Sequence, residues 1–131
     1  MYNKGPKTFP IGTGGGVRNR LVKLAGGTVV LNTATATDAP IGAIVGMDGD
    51  GAEGDFAAVR FLKDDGTQEL EAAGAADAGA DAYAADQGRV QALPSTAGDY
   101  RKIGKFLQAA SGAGSLIEVL PYDWHHVETV T

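Results

Sequence analysis

A glycine-led strand pattern that occurs twice limits what this chain can fold into. Residues 103–122 contain two apolar runs separated by a Ser/Gly segment, and Pro121 ends the second run. Glycine adopts positive φ in turns without steric cost, aliphatic residues suit a pleated surface, and proline cannot donate to a strand ladder. Residues 41–62 follow the same plan. The pattern therefore predicts strand–turn–strand units.

Three short matches indicate that a β unit is repeated along the chain. The matched segments are 25–30 with 78–83, 41–42 with 103–104, and 54–59 with 114–119, at offsets of 53, 62 and 60 residues. Their common order predicts a weakly duplicated β unit. The alternative is that glycine-led strands resemble one another by chance.

The chain divides into three segments by composition. Residues 1–16 contain two prolines and five glycines, which favour a flexible, extended N-terminal arm. Residues 17–122 carry the strand-like runs and predict one all-β domain, either a small β-barrel or a β-sandwich. Residues 123–131 are expected to form a C-terminal tail.

Two local patterns predict further detail. Asp64-Asp65-Gly66 lies between two strand-like runs, which predicts a β-hairpin at this point. Residues 70–85 are rich in alanine, the best helix former, but they contain two glycines and lack an apolar stripe of helical period. We therefore expect two strands there, with a short helix as the alternative.

The hydrophobic core is expected to be thin. Of the 131 residues 44% are hydrophobic, but 22 are alanine, and Leu, Ile, Val and Phe together number only 28. Charge is also uneven: residues 1–24 hold five bases and no acid, so the remainder holds 16 acids and 6 bases, a net charge of −10. The basic segment suits contact with nucleic acid or an acidic protein surface, or only balances the acidic body.

Residue types that carry catalysis or bind metals are sparse. There is no Cys, and the two His residues, His125 and His126, are adjacent and would point to opposite faces of an extended chain. The acidic stretch 48–55 lacks the ligand spacing of an EF-hand, and the glycines at 12–16 lack the ending of a phosphate loop. No serine lies in a nucleophile elbow. We expect no enzyme, no cofactor, no metal site and no membrane-spanning segment.

A series of short motifs runs in a fixed order between residues 39 and 123. It comprises Ala39-Pro40-Ile41-Gly42, Gly54-Asp55, Ala58-Val59-Arg60, Ala73-Gly74-Ala75, Ala78-Gly79-Ala80, Tyr83, residues 88–94 (GRVQALP), Ile103-Gly104 and residues 117–121 (IEVLP). In order and spacing the series resembles the small head-decoration, or capsid-cement, proteins of tailed bacteriophages. The glycine-rich arm and the Tyr-Asp-Trp-His-His segment depart from that family.

The resemblance implies a compact β-rich barrel or sandwich on the outer surface of a virion head, made in the bacterial host cytoplasm. Such proteins bind across subunits of the major capsid protein, as trimers or dimers, and stabilise the shell against the pressure of its DNA. For this chain a trimer is favoured over a dimer, without direct nucleic-acid binding. The family has no catalytic motif to transfer.

Residues 1–24 are expected to reach a neighbouring capsid subunit or another copy of the protein, with the C-terminal tail as the alternative contact. The residues predicted for this role are Lys4, Lys7, Phe9, Pro10, Ile11, Arg18, Arg20 and Trp124. Two alternatives remain open: a tail or connector subunit of a phage, and a carbohydrate-binding module. The latter would use Tyr2, Tyr83, Tyr100, Tyr122 and Trp124.

Overall fold

The computed structural model describes residues 6–64 and 66–131, and within these ranges the protein is built from strands. The strands are β1 (Lys7–Pro10), β2 (Leu21–Ala25), β3 (Thr28–Leu31), β4 (Gly42–Asp48), β5 (Phe56–Phe61), β6 (Gln68–Glu71), β7 (Asp81–Ala84), β8 (Val90–Gln91), β9 (Gly98–Phe106), β10 (Leu116–Pro121) and β11 (Val127–Val130). The one helical element in the described ranges is a 3-10 turn at Asp86–Gly88. The expected all-β class is confirmed.

The strands form two antiparallel sheets whose orders correspond one to one. The first sheet has the order β1-β5-β4-β2-β3, and the second has the order β6-β10-β9-β7-β8, with β11 also paired to β9. Adding five to each strand number of the first sheet gives the second sheet. Two such sheets are consistent with a β-sandwich.

Backbone contacts outside the regular ladders repeat in the same way. Ile11, which follows β1, forms an isolated β-bridge with Val29 of β3 and so links the two outer strands of the first sheet. Ala72, which follows β6, forms the equivalent bridge with Val90 of β8. The residues after these, Gly12 and Ala73, donate N–H hydrogen bonds to the Val29 and Val90 carbonyl oxygens, at 2.9 and 2.7 Å. We call residues 6–64 the first half and residues 66–122 the second half.

Two of the three sequence matches fall on equivalent strands. The matches at 41–42 and 54–59 equate β4 with β9 and β5 with β10, as the topology does. The match of 25–30 with 78–83 equates β3 with β7 and is wrong. Val22 in β2 pairs with Gly42, and Ala82 in β7 pairs with Gly104, so β7 corresponds to β2. The misleading signal was an Ala-Gly pair, which many turns contain.

The predicted hairpin at Asp64-Asp65-Gly66 does not form. Strand β5 already has β4 and β1 as its two neighbours, whereas β6 pairs with β10 of the other sheet. Because both edges of β5 are occupied, this connection passes from one half to the other; residue 65 itself lies outside the described residues. The strand pair predicted at 103–122 is confirmed as β9 and β10. The helix considered for 70–85 is not formed; β7 lies there instead.

The described parts of the expected arm and tail each contribute one strand to the sheets. Strand β1 pairs with β5, and Ile11 is only 1% exposed. Burial of Phe9 and Ile11 against the first half favours this docking over a loose arm. At the other end, β11 continues along β9, with Val127 opposite Arg101. Residues 1–5 lie outside the described residues.

The buried side chains form two clusters, and only the larger one joins the halves. The first half encloses Ile11, Val22, Val29, Ile44, Ala57 and Val59. A larger cluster in the second half includes Phe106 and Ile103 and also takes in Leu21, Ala43 and Leu62 from the first half. Alternation along β2 and β4 produces this sharing, because adjacent residues such as Val22 and Leu21 face opposite sides of the sheet.

Candidate interaction surface

An open apolar groove lies at one end of the first half, and Trp124 of the C-terminal segment lines it. The groove has a volume of about 350 Å³ and is lined by Phe9, Leu24, Pro40, Ile41, Phe61, Lys63 and Trp124. Phe9 and Phe61 meet edge to face, with ring centroids 6.3 Å apart. Leu24 is 52% exposed. An aromatic-rich concave surface with one cation suits binding of an apolar or amphipathic partner.

The groove continues the apolar interior of the first half. Phe9, two residues before buried Ile11, and Ile41 both pack against the cluster that contains Ile11. Leu24 follows buried Val22 at the same two-residue spacing along β2. Because alternate residues of a strand share a face, these side chains extend the buried surface to the open end of the sheet.

The equivalent positions of the second half are enclosed. Phe9 pairs with Ala57 of β5, and Leu70 pairs with Ile117 of β10. Because Ala57 and Ile117 occupy equivalent positions of these strands, Phe9 and Leu70 are equivalent too. Leu70 is 0% exposed and belongs to the same buried cluster as Leu62 and Leu21 of the first half. One end of the second half is therefore closed by packing that the first half lacks at its own end.

Polar contacts fix the junction between the halves. The Arg20 guanidinium donates to both carboxylate oxygens of Glu71, at 3.0–3.3 Å, and Arg89 lies 4.0 Å from the same carboxylate. The backbone N–H of Glu71 also donates to the Asn19 carbonyl oxygen at 3.0 Å. Such two-point pairing fixes both distance and angle between two elements.

A polar network occupies the second half at the position of Leu21. Tyr122 donates its hydroxyl to Asp81 Oδ1 at 2.8 Å, and Lys102 Nζ lies 3.4 Å from Asp81 Oδ2 and 4.3 Å from the centre of the Tyr122 ring. The Tyr122 hydrogen bond, aided by the Lys102 charge, lowers the pKa of Asp81 below its ordinary value. Hydrogen bonding with Tyr122 and then the charge of Asp81 raise the pKa of Lys102 against the opposing effect of burial. Because both groups stay charged at neutral pH, the network acts as an ion pair rather than as an acid–base couple.

The residues predicted from sequence to make contacts are separated by the structure. Phe9 and Trp124 lie together in the groove. Ile11 is a core residue, and Arg20 is engaged with Glu71. Lys7 and Arg18 are exposed and Pro10 is half-buried, while Lys4 lies outside the described residues. Sequence reasoning missed Leu24, Ile41 and Phe61 as groove residues because their runs read as ordinary half-buried strands.

Three of the aromatic residues considered for carbohydrate binding are buried or hydrogen-bonded within the chain. Tyr83 is buried, and the hydroxyls of Tyr100 and Tyr122 donate to the Thr96 carbonyl oxygen and to Asp81. Tyr2 lies outside the described residues. His126 Nε2 lies 3.0 Å from Glu128 Oε1. Among the described residues there is no group of three or more His, Asp or Glu side chains arranged to hold a metal ion, and no helix is long and apolar enough to cross a membrane.

No family model matches the chain, and no curated protein matches it significantly.

Proposed function

We propose that this protein is a non-catalytic structural component of a bacteriophage head, which decorates the outer surface of the capsid and stabilises it. The proposal starts from the ordered motifs between residues 39 and 123, which resemble capsid-cement proteins. The partner is the major capsid protein, bound across neighbouring subunits, and the protein itself assembles as a trimer.

The observation that carries the proposal furthest is the aromatic groove. Two residues selected from sequence as contacts, Phe9 and Trp124, line it although they are more than a hundred residues apart in the chain. Leu24 beside them is largely exposed. A small protein that binds a lattice in many copies needs only a modest apolar contact on each copy, because avidity multiplies weak sites.

We also propose that the chain arose by duplication of one β unit and that each half is a small five-stranded barrel. The equal strand orders and the matched bridges at Ile11 and Ala72 support both statements. A closed sheet leaves few free strand edges, which suits a protein that is concentrated on a surface without aggregating.

Co-sedimentation with capsids tests the proposed function. Increasing amounts of purified protein are mixed with expanded capsids of its own virus that lack the protein. Unexpanded shells are treated in the same way. We expect saturable binding to expanded capsids, together with raised resistance of the shell to heat. Binding to neither shell would overturn the proposal and favour the tail-subunit or carbohydrate-binding alternative; binding only to purified tails would favour the tail subunit.

A matched pair of variants connects the binding to the groove. Trp124→Ala removes one of the three aromatic side chains of the groove, and Tyr100→Phe removes only a hydroxyl that donates to the Thr96 carbonyl oxygen. We expect Trp124→Ala to weaken capsid binding at least tenfold and Tyr100→Phe to leave it unchanged.

A further inference from the structure

Three apolar side chains of the first half enter the large buried cluster of the second half. Leu21 of β2, Ala43 of β4 and Leu62, which follows β5, are at most 3% exposed. Leu21 and Ala43 pair across the two strands and lie on the face of the first sheet opposite Val22. We call Leu21, Ala43 and Leu62 the docking triad, because through them the outer face of the first half packs on the second half.

The docking triad fills the end of the second half that corresponds to the groove. It shares its cluster with Leu70, Ala84 and Ile103, whose equivalents in the first half are the groove residues Phe9, Leu24 and Ile41. Leu24 and Ala84 are equivalent because each pairs with the bridge residue of the neighbouring outer strand. Ile41 and Ile103 each precede the glycine that lies against a backbone carbonyl group. The same end is therefore filled in one half and open as the groove in the other.

The second half carries polar side chains at the three positions of the docking triad. The pair across β2 and β4 corresponds to Asp81 and Lys105, which pair across β7 and β9. Leu62 corresponds to Tyr122, because the N–H group of each donates to the carbonyl oxygen of the equivalent isoleucine, at 3.0 and 3.2 Å. Asp81, Lys105 and Tyr122 are all partly exposed. A surface that is apolar and buried in one half is therefore polar and partly exposed in the other.

Lys102 completes this polar surface and makes it costly to bury. Its ammonium group lies 3.4 Å from Asp81 Oδ2, and the Tyr122 hydroxyl donates to Asp81 Oδ1 at 2.8 Å. The Asp81 side chain is still 38% exposed, so its carboxylate keeps contact with solvent. Packing against an apolar end would remove that solvent, and taking charges out of water is costly compared with the contacts of a few side chains. Terminal units of tandem repeats carry polar outer faces, which keep the array soluble.

We propose that Asp81, Lys102, Lys105 and Tyr122 form a cap, which prevents the second half of one copy from docking into the groove of another copy. Without the cap, the contact that joins the halves would continue from copy to copy, and head-to-tail contacts that do not close form open chains. The cap keeps the groove free for a different partner, and a trimer forms through other surfaces. This inference rests on the equivalence of the halves and does not depend on capsid binding.

The test removes the cap and measures whether copies then join through the groove. The uncapped variant combines Asp81→Leu, Lys105→Ala and Tyr122→Leu, which install the residue types of the docking triad, with Lys102→Met. Both charges of the ion pair are removed together and neither is left buried alone, so the variant is expected to fold, as thermal melting checks. If it does not fold, the double variant Asp81→Leu/Lys102→Met, which keeps the Tyr122 ring, takes its place. Sedimentation velocity over a range of concentrations measures the association.

We expect the uncapped variant to associate at least tenfold more strongly than the parent protein, in chains that lengthen with concentration. Adding Leu24→Glu, within the groove, should abolish this gain. Adding Leu93→Glu should not, because Leu93 is exposed to a similar degree but does not line the groove. In the parent protein, Leu24→Glu should leave the state of association unchanged.

Three outcomes would overturn the proposal. An uncapped variant that associates no more strongly than the parent protein would show that the polar side chains do not prevent docking. A gain that survives Leu24→Glu would assign the association to unspecific contact of an apolar surface. Association of the parent protein that Leu24→Glu weakens would mean that copies already bind through the groove. Each of these outcomes leaves capsid binding to its own test.

Discussion

The two halves of this protein share one strand order but divide their interior differently. The first half encloses a small cluster around Ile44 and leaves an apolar groove at its end. In the second half Phe106 occupies the position that corresponds to Ile44. Its buried cluster also includes Leu21, Ala43 and Leu62 of the first half. The difference teaches that one β unit can serve either as a closed module or as an open one, depending on what packs at its end.

The largest expected effect comes from emptying the core of either half. Phe106→Ala should lower the free energy of unfolding by about 4 kcal/mol and Ile44→Ala by about 3 kcal/mol, since both side chains are fully buried. The shared cluster predicts that both variants unfold in one transition. Denaturant unfolding followed by circular dichroism and by fluorescence of Trp124, the single tryptophan, checks this.

The matched control for Phe106→Ala is Leu107→Ala, because Leu107 is adjacent and exposed. It should change the free energy of unfolding little. Two separate transitions in Ile44→Ala, with the tryptophan signal following only one of them, would mean that the halves are independent and that the shared cluster contributes little.

The next effect probes a point at which the halves are alike. A side chain at Gly42 would meet the Arg60 carbonyl oxygen, and one at Gly104 would meet the equivalent Leu120 carbonyl oxygen. Gly42→Ala and Gly104→Ala should therefore each lower the free energy of unfolding by about 3 kcal/mol, because the colliding atoms are backbone. Urea unfolding measures it. Gly46→Ala in β4, where a methyl group meets nothing within 4 Å, is the control.

If only one of these two glycine variants were destabilised, the equivalence of β4 with β9 would fail at its closest contact. A similar loss in Gly46→Ala would instead assign the effect to strand propensity or to the denatured state.

These glycines also mark how far the sequence predicts the fold. Ile-Gly at 41–42 and at 103–104 located equivalent strands, since a close backbone approach excludes any other residue. The Asp-Gly pair at 65–66 led to a wrong hairpin prediction. A turn signal is local, whereas the pairing of strands depends on the burial of whole sheet faces. The groove needed Phe9, Phe61 and Trp124 to be brought together across the chain, and no spacing in the sequence contains that information.

A smaller effect tests the junction between the halves. Glu71→Gln keeps the shape of the side chain but removes the charge that Arg20 holds at two oxygens, and we expect a loss of about 1.5 kcal/mol in the free energy of unfolding. A double-mutant cycle with Arg20→Met isolates the coupling. Asp38→Asn, which removes the Lys23 ion pair inside the first half, serves as the comparison. Additive effects of the Arg20 and Glu71 substitutions would mean that this pair does not couple the halves.

The smallest effect is the acid dependence of the polar network around Asp81 in the second half. The pKa of Asp81 is lowered in the folded protein, chiefly by the Tyr122 hydroxyl, so its stabilising contribution is present above the unfolded pKa of about 3.9 and is lost as pH falls through the folded value. The first half has apolar Leu21 at this position; its own carboxyl with a lowered pKa, Asp38, lies elsewhere and is held by hydrogen bonds with Lys23 and Thr33. Asp81→Asn should therefore be less stable than the parent protein at pH 6 and nearly equal to it at pH 2. Urea unfolding midpoints of both proteins, measured at several pH values between 2 and 6, give this stability difference. In a carboxyl NMR titration, Tyr122→Phe should raise the pKa of Asp81 towards its ordinary value. A stability difference between Asp81→Asn and the parent protein that stays constant with pH would assign the role of Asp81 to packing rather than to charge.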